Sequence, residues 1–434
     1  PWLSGYRGRR PPPAPVRVRL LVELRLLQEG GGDVGRVFLL LADVDGYRDA
    51  GVRDFCERFD LGGADGGAAV AAAAAVCIVA ASFAVYALAR HPAAQPVAFA
   101  FGGEAKPKDY ACALADGGLL ALMACLGLAR LSHETTPALS QLCMTALLFF
   151  GLATLPRHKL TSGIAIASGM LGLTLSGAPS LALCLGIGGS CIRAAAQPDP
   201  HQRRLSMLDL GLLALICLLC ITTAGALDLW RWRVIPHEMI DVHMMGRLLM
   251  WFTWPAWPLA LWSLWRWRGQ LLNGWRHPHL GLPLWFAVVT VSTTWLTGLS
   301  DRALLLSLPA IATLAAFALP TLRRSVAALI DWFTLLFFSG CAFIIWVIWI
   351  AMQTGWPSQP AANVARLAPG FVPSFHWLAF VMALAATIVW AWLVVWRTAK
   401  HRHALWKSLV LPAGGAALCW LLLLTLWLPL LDFA

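Results

Sequence analysis

An all-α, polytopic membrane helix bundle of about eleven spans is the architecture this sequence predicts, and three observations predict it. The chain has 434 residues, of which 59% are hydrophobic and 13% charged, roughly half the charged fraction of an ordinary soluble domain. Its mean hydropathy is +0.69. Apolar runs of the ~20 residues needed to cross a bilayer recur along it, and only helices and closed barrels satisfy their backbone in lipid. Finally, 23 tryptophans stand against 4 tyrosines, a composition suited to rings placed at headgroup level.

The clear spans lie at roughly 67–89, 206–228, 244–264, 281–299, 303–320, 329–351, 374–396 and 408–431, with shorter or broken ones at 111–130, 138–155 and 162–192. Residues 1–66 read differently. They are rich in Gly, Arg, Asp, Ala and Val, carry PPPAP, and their longest apolar run, VFLLLA, is too short to span. They are expected to be a poorly structured cytoplasmic tail or an aberrant, out-of-register segment, with a transmembrane domain over 67–434 and an N-terminal helix missing. The chain stops at LLDFA as the last span exits.

The formal net charge of +11 raises the question of nucleic acid. The basic residues fall in short clusters between apolar runs, without a continuous basic face, so the expected partners are membrane lipids and no nucleic acid. The loops around Arg193, Arg203 and Arg204, around Arg266, Arg268 and Arg276, at Arg323 and Arg324, and at Arg397, Lys400, Arg402 and Lys407 alternate with loops holding only Arg231, Arg233, Arg302 and Arg366. The richer set is expected on the cytoplasmic side, which leaves the C-terminus periplasmic in a bacterial inner membrane. The alternation fails between 130 and 193, where Arg130 and the Arg157–Lys159 loop both look cytoplasmic although one apolar run separates them. Either 138–155 is re-entrant, or 162–192, interrupted by SGAPS, does not form two full spans.

The pentapeptide LWRWR occurs at 229–233 and again at 264–268. One span lies between the copies, so they fall on opposite membrane surfaces as interfacial anchors, tryptophan in the headgroup zone and arginine reaching phosphate. The outer copy continues into a polar tract that gathers Arg231, Arg233, His237, Glu238, Asp241, His243 and Arg247. His237-Glu238 opens like the zinc motif H-E-x-x-H, but the next histidine is six residues on and would not share its helix face, so no metal site is expected there. A lipid-facing tract whose guanidinium groups match phosphate oxygens fits better. Asp301 and Arg302 form an ionisable pair where one span leaves the membrane outside and the next begins. That pair is either functional or a local helix cap. Cys217 and Cys220 make a C-x-x-C inside an apolar run, with no second pair, and are expected to be small buried hydrophobes.

Several of these segments resemble a known family. GRLLMWFTWPAWPLALWSLWRWR followed by SDRALLLSLPAIATLAAFALPTLRR is similar to the latter half of bacterial membrane glycosyltransferases of the GT-C type, the protein O-mannosyltransferases and the aminoarabinose transferases that modify lipid A. Arg302 with Leu304, Leu305 and Pro309 matches the family's basic residue that opens an apolar, proline-containing helix, with Ala303 in place of the usual tyrosine. Asp116, Leu119 and Leu120 match an early helix that starts with Asp, and LTLSGAPSLAL resembles a family turn, with Ser176 where lysine is usual. The resemblance covers about 110–431 and implies transfer of a sugar from a polyprenyl-phosphate donor to an extracytoplasmic lipid or protein acceptor. It further implies Asp116 as the acid at the outer mouth of the site, a helix N-cap being the other reading of that residue, and Arg231, Arg233, Arg247 and Arg302 on the donor phosphate. His237, Glu238, Asp241 and Asp301 are further candidates. No cofactor is expected, and a divalent metal stays open. The family's first-loop carboxylate has no match, since Asp43 and Asp45 lack a preceding membrane helix. A different class, a secondary transporter or non-enzymatic membrane subunit, calls for paired broken helices and charges near the midplane. SGAPS breaks one helix without a visible counterpart.

Overall fold

The computed structural model describes residues 66–95, 106–131, 137–196, 207–230, 242–271, 277–297, 301–398 and 405–433. The expectation for residues 1–65 falls outside this set. Among the described residues every regular element is a helix: α1 (Gly66–Ala89), α2 (Pro107–Ala124), α3 (Leu126–Leu131), α4 (Pro137–Thr154), α5 (Lys159–Leu175), α6 (Pro179–Ala195), α7 (Met207–Ala226), α8 (Val242–Phe252), α9 (Ala256–Arg266), α10 (Arg268–Leu271), α11 (Pro278–Thr297), α12 (Asp301–Leu304), α13 (Leu308–Ala318), α14 (Arg324–Thr354), α15 (Ser358–Leu367), α16 (Trp377–Thr398), α17 (Val410–Leu422) and α18 (Leu428–Phe433). Seven helical runs are long and apolar enough to cross a membrane, and three shorter apolar helices accompany them. The protein is a multi-pass membrane protein.

Burial shows which helices are central and which face lipid. Every residue of α13, LPAIATLAAFA, is buried, and α13 packs against α2, α9 and α11. Five of its eleven residues are alanine, and small side chains let surrounding helices approach, which is what drives packing where lipid is as apolar as leucine. By contrast α7, α14 and α16 expose Leu215, Leu218, Leu329, Leu336, Leu378 and Ile388. An apolar exterior is expected in hydrocarbon.

The stretch where the loop charges lost their alternation is settled by two turns. α4 is a full 18-residue helix, mostly buried, and SGAPS separates α5 and α6, each 17 residues or about 25 Å long. Gly177 takes the left-handed φ of 88°, the Gly177 and Ala178 amides close back on Thr174 and Leu173, and Pro179 starts the next helix where its missing N–H leaves nothing unpaired. Gln141 of α4 donates to the Ser176 carbonyl at 2.7 Å, so the turn sits at the start of α4. The chain therefore passes three times between 137 and 195, and Arg130 and Arg157 belong to opposite ends of the bundle.

Two helices are broken and face each other. The candidate span 244–264 divides into α8 and α9 at Thr253–Pro255, and 111–130 divides into α2 and α3 at Cys125. The Leu126 amide donates to the Trp254 carbonyl at 3.1 Å, and the Cys125 thiol lies 3.9 Å from the Thr253 carbonyl. Each break supplies a partner for backbone groups the other one frees, as a low-dielectric interior demands.

Contacts at the helix ends gather the basic loops on one side. Arg157 donates to the Ala87 carbonyl, Lys159 pairs with Asp209, the Trp262 indole reaches Thr321 beside Arg323, and Arg397 binds both Asp331 and the Lys407 carbonyl. The turn Leu319–Thr321 packs on the turn Leu405–Leu409. Arg157, Arg193, Arg266, Arg323, Arg397 and Lys407 thus share one end, and Arg302 and Arg247 occupy the other.

Candidate functional site

At the end away from the basic cluster, Arg302 lies half-buried in the single turn of α12. Its backbone runs through the turn Leu305–Ser307 directly into α13, with Pro309 in the first turn. Arg302 is therefore held at the mouth of the most buried helix of the molecule. α8 packs against α12 and carries Arg247 and His243, both exposed, while Met245 and Phe252 turn inward. Two of the four expected phosphate-binding arginines, Arg247 and Arg302, are thus brought onto neighbouring helices. Arg231, Arg233, His237, Glu238 and Asp241 lie outside the described residues, and of Asp301 only the backbone is described.

Asp116 is not brought to this place. Its helix starts at the opposite end of the bundle: the buried Tyr110 hydroxyl donates to the Ala94 carbonyl at 3.2 Å, and α2 packs on the turn Leu405–Leu409. At Gly117 the helix comes so close to Leu319 that an added Cβ would run into its Cδ1. Leu319 is seventeen residues beyond Arg302 along one helical run, about 25 Å at 1.5 Å per residue. Asp116 itself is exposed. The expectation that Asp116 shares one mouth with Arg302 is corrected, because its helix α2 enters the bundle from the end where α1 finishes, opposite Arg302.

A second polar group, unsuspected from the sequence, sits at the basic end. His91, just after α1, stacks on His279 of α11 with ring centroids 6.4 Å apart. Trp267 meets His279 edge-on at 5.4 Å and Phe317 lies on its other side at 5.4 Å. Arg193, in the last turn of α6, and Arg157 are near enough for their charges to act on His91. Burial, followed by the charges of Arg193, His277 and Arg157, pushes His91 down to about 4 from its ordinary 6.5. The only hint in the sequence was that His91, Arg193 and His279 each stand at the end of an apolar run.

Among the described residues no group of three or more His, Cys, Asp or Glu side chains is placed to hold a metal. Cys217 and Cys220 are free thiols in α7.

No family model and no curated protein matches the chain. Among solved structures, ArnT from Cupriavidus metallidurans in the apo state is similar over 85% of this chain and 64% of its own, at 14% identity and a TM-score of 0.52. The fold is ArnT-like. The form of ArnT bound to undecaprenyl phosphate aligns over the same shares at 16% identity and a TM-score of 0.48. The chain spans less than two thirds of the length of ArnT. At the level of the fold this agrees with the GT-C-type resemblance.

Proposed function

We propose that the protein is a membrane glycosyltransferase that moves a sugar from a polyprenyl-phosphate donor to an extracytoplasmic lipid or protein acceptor. The observation that carries the reading is Arg302: a guanidinium fixed at the mouth of a wholly buried helix, beside a helix bearing Arg247, in an ArnT-like fold. Sugar transfer leaves negative charge on the departing phosphate, and a fixed guanidinium fork stabilises that charge most where water is excluded. Arg302 and Arg247 take this role, with Arg231 and Arg233 on the tract leading into α8.

Inverting transfer also needs a carboxylate to accept the proton of the attacking hydroxyl. Asp116 is too far along the bundle to serve at the same phosphate. The role falls to Asp301, next to Arg302 in α12, with Glu238 and Asp241 on the tract before α8 as the other carboxylates available.

The test is donor turnover by the protein reconstituted in liposomes with a labelled polyprenyl-phosphate sugar. Arg302→Ala is expected to lower turnover about 100-fold or more, the effect of removing one charge-stabilising donor, while Arg302→Lys keeps part of it. Unchanged turnover in Arg302→Ala removes that residue from the site. A secondary transporter is the second reading, favoured by the facing helix breaks at Cys125 and Trp254. Those breaks satisfy each other's backbone, leaving less of it free to coordinate an ion, which favours the transferase.

A further inference from the structure

The cluster at the basic end holds polar groups that nothing among the described residues satisfies. Arg193 is 7% exposed and His279 is fully buried. The Arg193 Nε, the Trp267 Nε1 and both ring nitrogens of His279 are buried without a hydrogen-bond partner. Leaving such groups unpaired is expensive, above all for a charge. Arg193 also stands close enough to Arg157 for the two guanidinium groups to repel, and among the described residues no carboxylate pairs with it. A cation in the last turn of α6 gains something from the helix dipole, but that leaves its Nε–H unmatched and accounts for neither the indole nor the imidazole.

The polarity of these groups identifies the ligand. Arginine and tryptophan side chains only donate, and a histidine donates from one ring nitrogen or from both. Unmet donors beside two positive charges call for an anionic acceptor with several oxygens, and a tetrahedral phosphate presents them in the geometry a guanidinium fork prefers. The elements that bring the groups together are the end of α1, the turn between α4 and α5, the end of α6, the junction of α9 and α10 and the start of α11, which is where a bundle meets the headgroup zone.

We propose that His91, Arg157, Arg193, Trp267 and His279 form a binding site for a phosphate group at the basic end of the bundle, supplied by an anionic phospholipid headgroup or by a free phosphate anion. The site is separate from the Arg302 end and does not depend on the transferase reading.

The experiment uses the purified full chain in a neutral detergent, delipidated, and follows its melting temperature and its half-saturation with three probes at constant ionic strength. These are dihexanoyl phosphatidylglycerol, inorganic phosphate, and dihexanoylglycerol, which has the same chains without the phosphate. Phosphatidylglycerol is expected to raise the melting temperature and dihexanoylglycerol to leave it unchanged. An equal rise with inorganic phosphate identifies the source as the free anion, and a rise with the lipid alone identifies the headgroup. Arg193→Gln is expected to raise the half-saturation concentration by about tenfold or more, the loss of one charged hydrogen bond, and Arg193→Lys to raise it less. Trp267→Phe keeps an aromatic side chain while removing the indole N–H and part of the ring, so it carries the test if Arg193→Gln does not fold. No rise with either phosphate probe, or undiminished binding in Arg193→Gln or in Trp267→Phe, overturns the proposal.

Discussion

His91 shows how one side chain can hold a connection together only while it is neutral. Its Nδ1 accepts the Ala93 amide at 3.2 Å and so caps the turn Pro92–Ala94. Protonation would turn that acceptor into a donor and add a positive charge beside Arg193 and Arg157. Because His91 is pushed down to about 4, the unfolded chain takes up a proton near 6.5 while the folded chain does not. Stability is therefore full above about 6.5 and is lost as the pH falls from there towards 4. Melting temperatures in detergent are expected to decline across that window, and His91→Asn, which retains a capping acceptor and does not titrate, should decline less. An identical decline in the variant would assign the effect to other groups. At this scale the sequence singled out Arg302 and Asp116 by the motifs of the resemblance and Arg247 by its place in a polar tract. It could not say which shared a place, because Asp116 and Arg302 differ in which end of the bundle their helices enter from. The histidine cluster left almost no trace, since its members stand at five separate helix ends.

Helix pairs are governed by a few small residues at the crossings. α4 and α5 form the most extensive helix contact in the molecule, and at Gly169 an added Cβ would stand 2.8 Å from the Leu148 amide nitrogen and 2.9 Å from the Met144 carbonyl. Those neighbours are backbone and cannot rotate away. Gly169→Leu is accordingly expected to force the helices apart and destabilise the protein by about 1–3 kcal/mol or more, read as a lower melting temperature, whereas Gly211→Leu on α7, where nothing lies within 4 Å, should be nearly neutral. A neutral Gly169→Leu would mean that the α4–α5 contact is looser than the structure has it. The span positions were legible from apolar run length, and the SGAPS break from its Gly and Pro. The break at Thr253–Pro255 was missed because the run MMGRLLMWFTWPAWPLALWS is apolar but for Arg247, so the hydropathy of the span conceals Pro255, where the helix is interrupted.

Across the whole molecule, the separation of charge predicts an orientation. The positive-inside tendency would put the basic end in the cytoplasm and turn Arg302 and the C-terminus outward, as the transferase proposal requires. Alkaline phosphatase, active only outside, fused after Gly370 should be active, and fused within 399–404 should be inactive. The reverse pattern would put the Arg302 end in the cytoplasm and exclude an extracytoplasmic acceptor.

By itself the sequence determined that this is a helical membrane bundle and where most of its spans lie, because bilayer thickness and backbone satisfaction act locally on length and composition. It also sorted the loops into a basic and a sparse set. Only the tertiary structure decided that 162–192 makes two passes, that the helices carrying Arg247 and Arg302 pack together while Asp116 lies elsewhere, and that helix ends distant in the chain meet at His279. Those outcomes depend on which helix ends pack together, and packing joins residues whose separation along the chain carries no signal of their contact.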